Sequence, residues 1–279
     1  MKIDIIETGI FRLDGGAMFG MIPKALWQRA YDPGDELNRI PMAIRLMLIT
    51  DGDRKILVDT GNGTKLPDKF CSIYGIDKKE ADIESAINRL GLSTDDITDV
   101  ILTHLHFDHA GGATVLRDGK VVPTFRNATY YVQKEQFDWA VNPSVKDRAS
   151  YMPHNYLPLK EHNQLKLIEG RFELFPGIEV IPVYGHTDAM QLVKIRIGKE
   201  SILYCADLMA TAAHVPIHYG MGYDNYPMKV IEEKQVILEE AYKENTILFF
   251  EHDAHKIATR LEYGPKGYSA GELVDISKL

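Results

Sequence analysis

An α/β fold is predicted by three features of the sequence. Short β-branched and apolar runs alternate with segments of helical periodicity. No low-complexity stretch, charge block or Pro/Gly/Ser-rich linker interrupts the 279 residues, so one domain over 1–279 is expected. Histidines and aspartates gather directly after several of the apolar runs, where open α/β sheets place their sites.

The strands expected in order are 43–50, 55–59, 99–103, 129–132, 178–183, 192–197, 201–205 and 246–250. Each is a short apolar run of the kind a buried strand requires. Helices are expected over 78–90, where Ile83, Ile87 and Leu90 share a face, over 134–141, and over 228–245. In the last, Val230, Ile231, Ile237, Leu238 and Ala241 recur at roughly helical spacing among charged residues. Two long stretches, 15–34 and 212–227, read as mostly irregular. The first carries Met18, Phe19, Met21 and Trp27, and the second His214, His218, Tyr219, Tyr223 and Tyr226. Long loops in a compact domain are more often functional than idle, so Met18, Phe19, Trp27, His214, His218, Tyr219 and Tyr223 are candidate substrate contacts. The alternative role of the aromatics is to cap the core.

Composition narrows the class. Hydrophobic residues make up 45% and charged residues 26%, an ordinary globular profile. A net charge of −8 argues against nucleic acid or an anionic membrane as partner. Two cysteines, Cys71 and Cys205, cannot build a disulfide framework and suggest a reducing compartment. Without a signal-peptide pattern or a run of ~18 apolar residues, a cytoplasmic location is expected.

The informative segment is Thr103-His104-Leu105-His106-Phe107-Asp108-His109, followed by Gly111-Gly112. Three imidazoles and a carboxylate compressed into one strand-to-loop turn are costly to leave without a cation. In an extended turn His104 and His106 project to the same side, while Asp108 and His109 follow where the chain bends. One turn cannot complete two metal shells. Further candidates stand past three later strands: His186 in Gly185-His186-Thr187, Asp207, and His252. The expected division gives His104, His106 and His186 to one metal, Asp108, His109 and His252 to a second, and Asp207 to both. A nitrogen and oxygen set without thiolate suits two divalent ions, Zn²⁺ first, with Mn, Fe or Co also compatible. Asp59, in Val58-Asp59-Thr60-Gly61, is a candidate to orient a ligating histidine.

The His-x-His-x-Asp-His run, the three later ligands in order and Leu57-Val58-Asp59-Thr60-Gly61 resemble the metallo-β-lactamase superfamily. The resemblance implies a four-layer αββα sandwich with a dinuclear site at one edge, and hydrolysis by a metal-bound hydroxide with Asp108 as proton shuttle. Asp207 in place of a cysteine argues against a zinc β-lactamase. The 45 residues from Asp207 to His252 are too few for the nuclease branch, and the 27 after His252 too few for the glutathione-binding domain of glyoxalase II. The segments Gly15–Gly20 with Pro23, Lys24 and Trp27, and Ala212–Pro216, resemble the branch of N-acyl homoserine lactone lactonases and methyl parathion hydrolase. Two departures stand out. Ala210 occupies the place of the substrate-orienting tyrosine, and Thr187 is followed by Asp188-Ala189-Met190. The reading is a metal-dependent hydrolase of a small lactone or ester. Organophosphate triesters or aryl esters are the next choice, and a non-catalytic metal-binding effector is the non-enzymatic one. The apolar segment 15–34 would cover the cleft and meet a second copy in a homodimer.

Overall fold

The computed structural model describes all residues from Met1 to Leu279. Its contacts group into two compact units, residues 1–10 with 44–170, and residues 11–43 with 171–279. The secondary structure is mixed α/β with two large sheets, as the sequence predicts.

One sheet has six strands in the order β1-β2-β3-β4-β7-β8. They are β1 (Lys2–Asp14), β2 (Arg39–Asp51), β3 (Arg54–Val58), β4 (Asp99–Ile101), β7 (Thr129–Gln133) and β8 (Leu165–Ile168). A small hairpin, β5 (Thr114–Arg117) with β6 (Lys120–Pro123), stands apart. The run Met42–Ile49 in β2 is buried without a break, which a sheet covered on both faces produces and an alternating pattern does not. Strands β3, β4, β7 and β8 are parallel, and Val58 pairs with Ile101. The chain therefore leaves β3 and β4 at the same edge, and Asp59 and Thr103 emerge there together.

The second sheet has the order β15-β14-β13-β12-β11-β10-β9. Its strands are β9 (Phe172–Phe175), β10 (Ile178–Val183), β11 (Met190–Ile197), β12 (Glu200–Tyr204), β13 (Ile247–Phe249), β14 (Ala258–Gly264) and β15 (Gly267–Leu273). The β12–β13 pair is parallel, and Tyr204 pairs with Phe249. Asp207 and His252 each follow their paired residue by three positions, so register alone delivers them side by side.

Eight helices complete the chain. They are α1 (Gly15–Phe19), α2 (Lys24–Ala30), α3 (Asp68–Tyr74), α4 (Ile83–Asn88), α5 (Phe107–Ala110), α6 (Lys134–Val141), α7 (Leu157–Glu161) and α8 (Pro227–Lys243). No helix is long and apolar enough to cross a membrane.

Three expectations need correction. The helix over 78–90 shortens to α4, because the Asp82 side chain accepts from the Glu84 N–H and caps the helix at that point. Segment 15–34 is not mostly irregular: α1 is capped by Asp14, which accepts from the Ala17 N–H at 2.8 Å, and α2 follows Pro23. Strands β1, β5, β6, β8, β9, β14 and β15 lie outside the expected set. β14 and β15 carry polar and charged residues through a largely exposed hairpin, so no apolar run marks them.

Candidate metal centre

In the first unit, the turn after β4 carries four of the expected ligands, all buried: His104, His106, Asp108 and His109. Asp59 organises it. This residue takes a left-handed backbone, φ 57°, uncommon away from glycine. Its carboxylate accepts from the Thr103 N–H and Oγ1, each at 2.7 Å, and meets His109 Nδ1 at 3.1 Å. Because Thr103 Oγ1 donates to Asp59, it accepts from His104 Nδ1 at 3.1 Å. The Nε2 atoms of His104 and His109 are thereby left as lone-pair nitrogens. His104 Nε2 lies 3.0 Å from His106 Nδ1, so two ring nitrogens converge on one point. Tyr151 packs edge-on against His106 at 4.7 Å, and its hydroxyl donates to Gln136 Oε1 at 3.2 Å. The glycine pair has a steric reason: a Cβ on Gly111 would fall 2.0 Å from the Asn62 carbonyl oxygen. Phe107, inside the turn, meets Phe70 and Tyr74 of α3 at 4.9 and 5.6 Å. That aromatic wall is not visible in the sequence, where only the i,i+4 spacing of Phe70 and Tyr74 hints at a shared face.

In the second unit, His186, Asp207 and His252 come together. Asp207 presents one oxygen to each histidine: Oδ2 lies 3.2 Å from His186 Nε2 and Oδ1 lies 3.3 Å from His252 Nε2. His252 Nδ1 is 2.8 Å from the Ala43 carbonyl, which can only accept, so Nδ1 carries the proton. His186 Nδ1 is 3.0 Å from the Asp224 carboxylate, which fixes the same tautomer. Lone-pair nitrogens thus face carboxylate oxygens on both sides of Asp207. Acceptor facing acceptor is repulsive unless a proton or a cation lies between them, and imidazole with carboxylate suits a divalent metal. The donor set fits the group.

The remaining candidates separate by burial. Met18, Phe19, Trp27 and His214 are 2% exposed or less, and Phe19 lies flat between Trp27 at 5.4 Å and His214 at 4.7 Å. Tyr219 meets the same ring edge-on at 6.1 Å. These residues join segment 15–34 to the chain after Asp207. His218 and Tyr223 are exposed and Tyr219 is half-buried. Of the apolar patch expected at a dimer contact, Met21 and Leu26 remain, 89% and 53% exposed. Cys205 is buried, its Sγ directed at the Leu203 carbonyl, and burial pushes its thiol pKa up. Sequence reasoning missed Asp224. Its one signal is that it is the sole acid in a loop otherwise rich in tyrosine and glycine.

His214 gives a pH expectation. Burial pushes its ring down to about 4 from an ordinary 6.5, although Nε2 donates to the Met18 carbonyl at 2.8 Å. Below 6.5 the unfolded chain takes up a proton that folded His214 refuses until about pH 4. Stability therefore falls as the pH drops from 6.5 to about 4, by at most about 1.4 kcal/mol per pH unit. Urea unfolding from pH 7 to 4 should show this slope in the wild type and a smaller one in His214→Asn.

The mixed α/β fold and the buried His/Asp groups described in each unit are those of a hydrolase with metal-binding groups. Residues 41–252 match the metallo-beta-lactamase superfamily, and the chain belongs to it. It is similar to N-acyl homoserine lactonase AiiA of Bacillus thuringiensis subsp. kurstaki, 30% identical over 238 residues, 80% of this chain and 85% of that one. A probable metal-dependent hydrolase from Staphylococcus aureus has a similar structure, with TM-score 0.87, 28% identity and 98% of each chain covered. An N-acyl homoserine lactone hydrolase with N-hexanoyl-L-homoserine at its catalytic metal centre gives TM-score 0.72 and 25% identity, over 91% of this chain and 93% of that one. The family read from the His-x-His-x-Asp-His run is thus the family of the whole chain.

Proposed function

We propose that the chain is a two-metal hydrolase that opens small lactones, with Zn²⁺ the first choice of ion. His104, His106 and His186 would hold one ion, Asp108, His109 and His252 the other, and Asp207 both. The observation that carries this reading is Asp207, with one oxygen toward each of two lone-pair nitrogens. Two such ions, when bound, acidify water and polarise an ester carbonyl.

The chain's own residues supply the rest. Asp59, Asp224 and the Ala43 carbonyl fix the tautomers of His109, His186 and His252, so each Nε2 is presented without reorganisation. Asp108, buried beside His109, carries a proton to the alkoxide leaving from the opened ring. His218, Tyr219 and Tyr223 provide polar contacts to the substrate. Met18, Phe19 and Trp27 act from behind, holding the loop rather than touching the ligand, because their side chains are buried. Similarity to an N-acyl homoserine lactonase over most of both chains supports the lactone as substrate class. Ala210 is fully buried and offers no hydroxyl, so substrate orientation falls to another residue.

The deciding experiment compares kcat/KM for acyl homoserine lactones, δ-lactones and paraoxon-type triesters. A preference for lactones above about 100-fold, roughly 2.7 kcal/mol of transition-state discrimination, is the expected result. An equal preference for the triester would move the assignment to organophosphate hydrolysis, and no turnover of any ester by metal-loaded protein would sink the enzyme reading.

A further inference from the structure

We propose that Asp224 is a positioning residue for His186, and that through it the 221–226 loop and α8 form a clasp on which one metal position depends. The inference rests on the two-metal reading above. Asp224 is 2% exposed and spans two groups: Oδ1 meets His186 Nδ1 at 3.0 Å and Oδ2 accepts from the Met221 N–H at 2.8 Å. The next two residues grip the same turn through backbone: Asn225 N–H donates to the His186 carbonyl at 3.0 Å and Tyr226 N–H to that of Gly185 at 2.8 Å. Side chain and backbone of one short loop thus hold both the ring and the main chain of His186.

Helix α8 closes the arrangement from the other side. Glu233 accepts from the N–H groups of Tyr184 at 2.7 Å and Gly185 at 2.9 Å. The helix passes so close that a Cβ on Gly185 would lie 2.5 Å from the Val230 nitrogen, which only glycine avoids. Its neighbour Lys234, fully buried, donates to the carbonyls of His214, Pro216 and Tyr219 at 2.5, 2.8 and 2.8 Å. A neutral amine has two N–H groups and an ammonium three, so three acceptors select the ammonium. Consecutive residues of one helix thereby tie down the His186 turn and the loop that supplies Asp224.

The consequence is a link between substrate side and metal side. Tyr219 and Tyr223 belong to the same stretch of chain as Asp224. If this stretch opens, Asp224 leaves with it, and the His186 ring loses the acceptor that keeps its proton on Nδ1. Nε2 is then no longer held as a lone pair toward its metal, whereas His109 and His252 keep their own partners in Asp59 and Ala43. One of the two positions should loosen and the other should not.

Two measurements test this. Zinc competition against a chromophoric chelator should show one of two equivalents weakened about 10–100-fold in Asp224→Asn and Asp224→Ala, the other unchanged. Lys234→Met should weaken the same equivalent with Asp224 intact. Histidine ¹⁵N spectra of zinc-free protein should show His186 with its proton on Nδ1 in the wild type and a tautomer mixture in Asp224→Ala. Equal weakening of both equivalents, or no weakening, would overturn the clasp. So would an unchanged His186 tautomer, which reads out whatever the wild-type stoichiometry. Fewer than two zinc equivalents in the wild type would instead overturn the two-metal reading.

Discussion

Asp207→Ala should remove both metals and nearly all activity. Each of its carboxylate oxygens lies within 3.3 Å of a different histidine nitrogen, so one truncation strips a ligand from both positions. It also leaves His186 and His252, each 2% exposed, facing a gap where a negative charge stood. Loss of a single preorganised charge at a reaction centre costs about 10²–10³-fold in kcat, and here two positions fail together, so the fall should reach at least that scale. His252→Ala should differ in kind: metal content should drop by about one equivalent, because Asp207 and His186 keep their contact. Metal analysis of both variants checks this. Full metal content in Asp207→Ala would remove the bridging role.

Trp27→Ala should unfold the second unit far more easily while leaving substrate preference alone. The indole is 1% exposed, stacks on Phe19 with an interplanar angle of 5°, and lies where a Cβ on Gly15 would come within 2.4 Å of it. Truncating so large a buried ring typically costs about 3–5 kcal/mol, from lost burial and the cavity left behind. Phe19 would lose one of its two flat neighbours and keep His214. Urea unfolding measures the cost, and the ratio of kcat/KM for a short-chain and a long-chain lactone measures preference. A changed ratio with unchanged stability would return Trp27 to the substrate wall, as its place in an apolar segment first suggests.

How far the sequence could be read depends on whether a signal was local. The turn His104–His109 announces itself because four donors are adjacent in the chain, and their chemistry needs no distant partner to be recognised. His186, Asp207 and His252 are legible by position, each just past an apolar strand. Asp224 is not: an isolated acid in a tyrosine-rich loop reads as solvated until the fold brings it 3.0 Å from His186. Lys234 reads as part of a charged helix face, yet it is buried against three carbonyls. The aromatics of segment 15–34 left two roles open, pocket or core, and burial separates Met18, Phe19 and Trp27 from exposed Met21 and Leu26.

The sequence by itself determined the family, the α/β class, the identity of seven metal-capable residues and the absence of a thiolate among them. These depend on residue type and on spacing within a strand or turn, which short-range geometry fixes. Only the tertiary structure decided that His109, His186 and His252 carry the proton on Nδ1, which residue sets it, and which apolar side chains are hidden. For His186 and His252 those partners lie 38 and 209 residues away along the chain, in Asp224 and Ala43. Periodicity records which side of an element faces inward. It does not record what waits there, because that is set by strand register and by loops whose course no local pattern encodes.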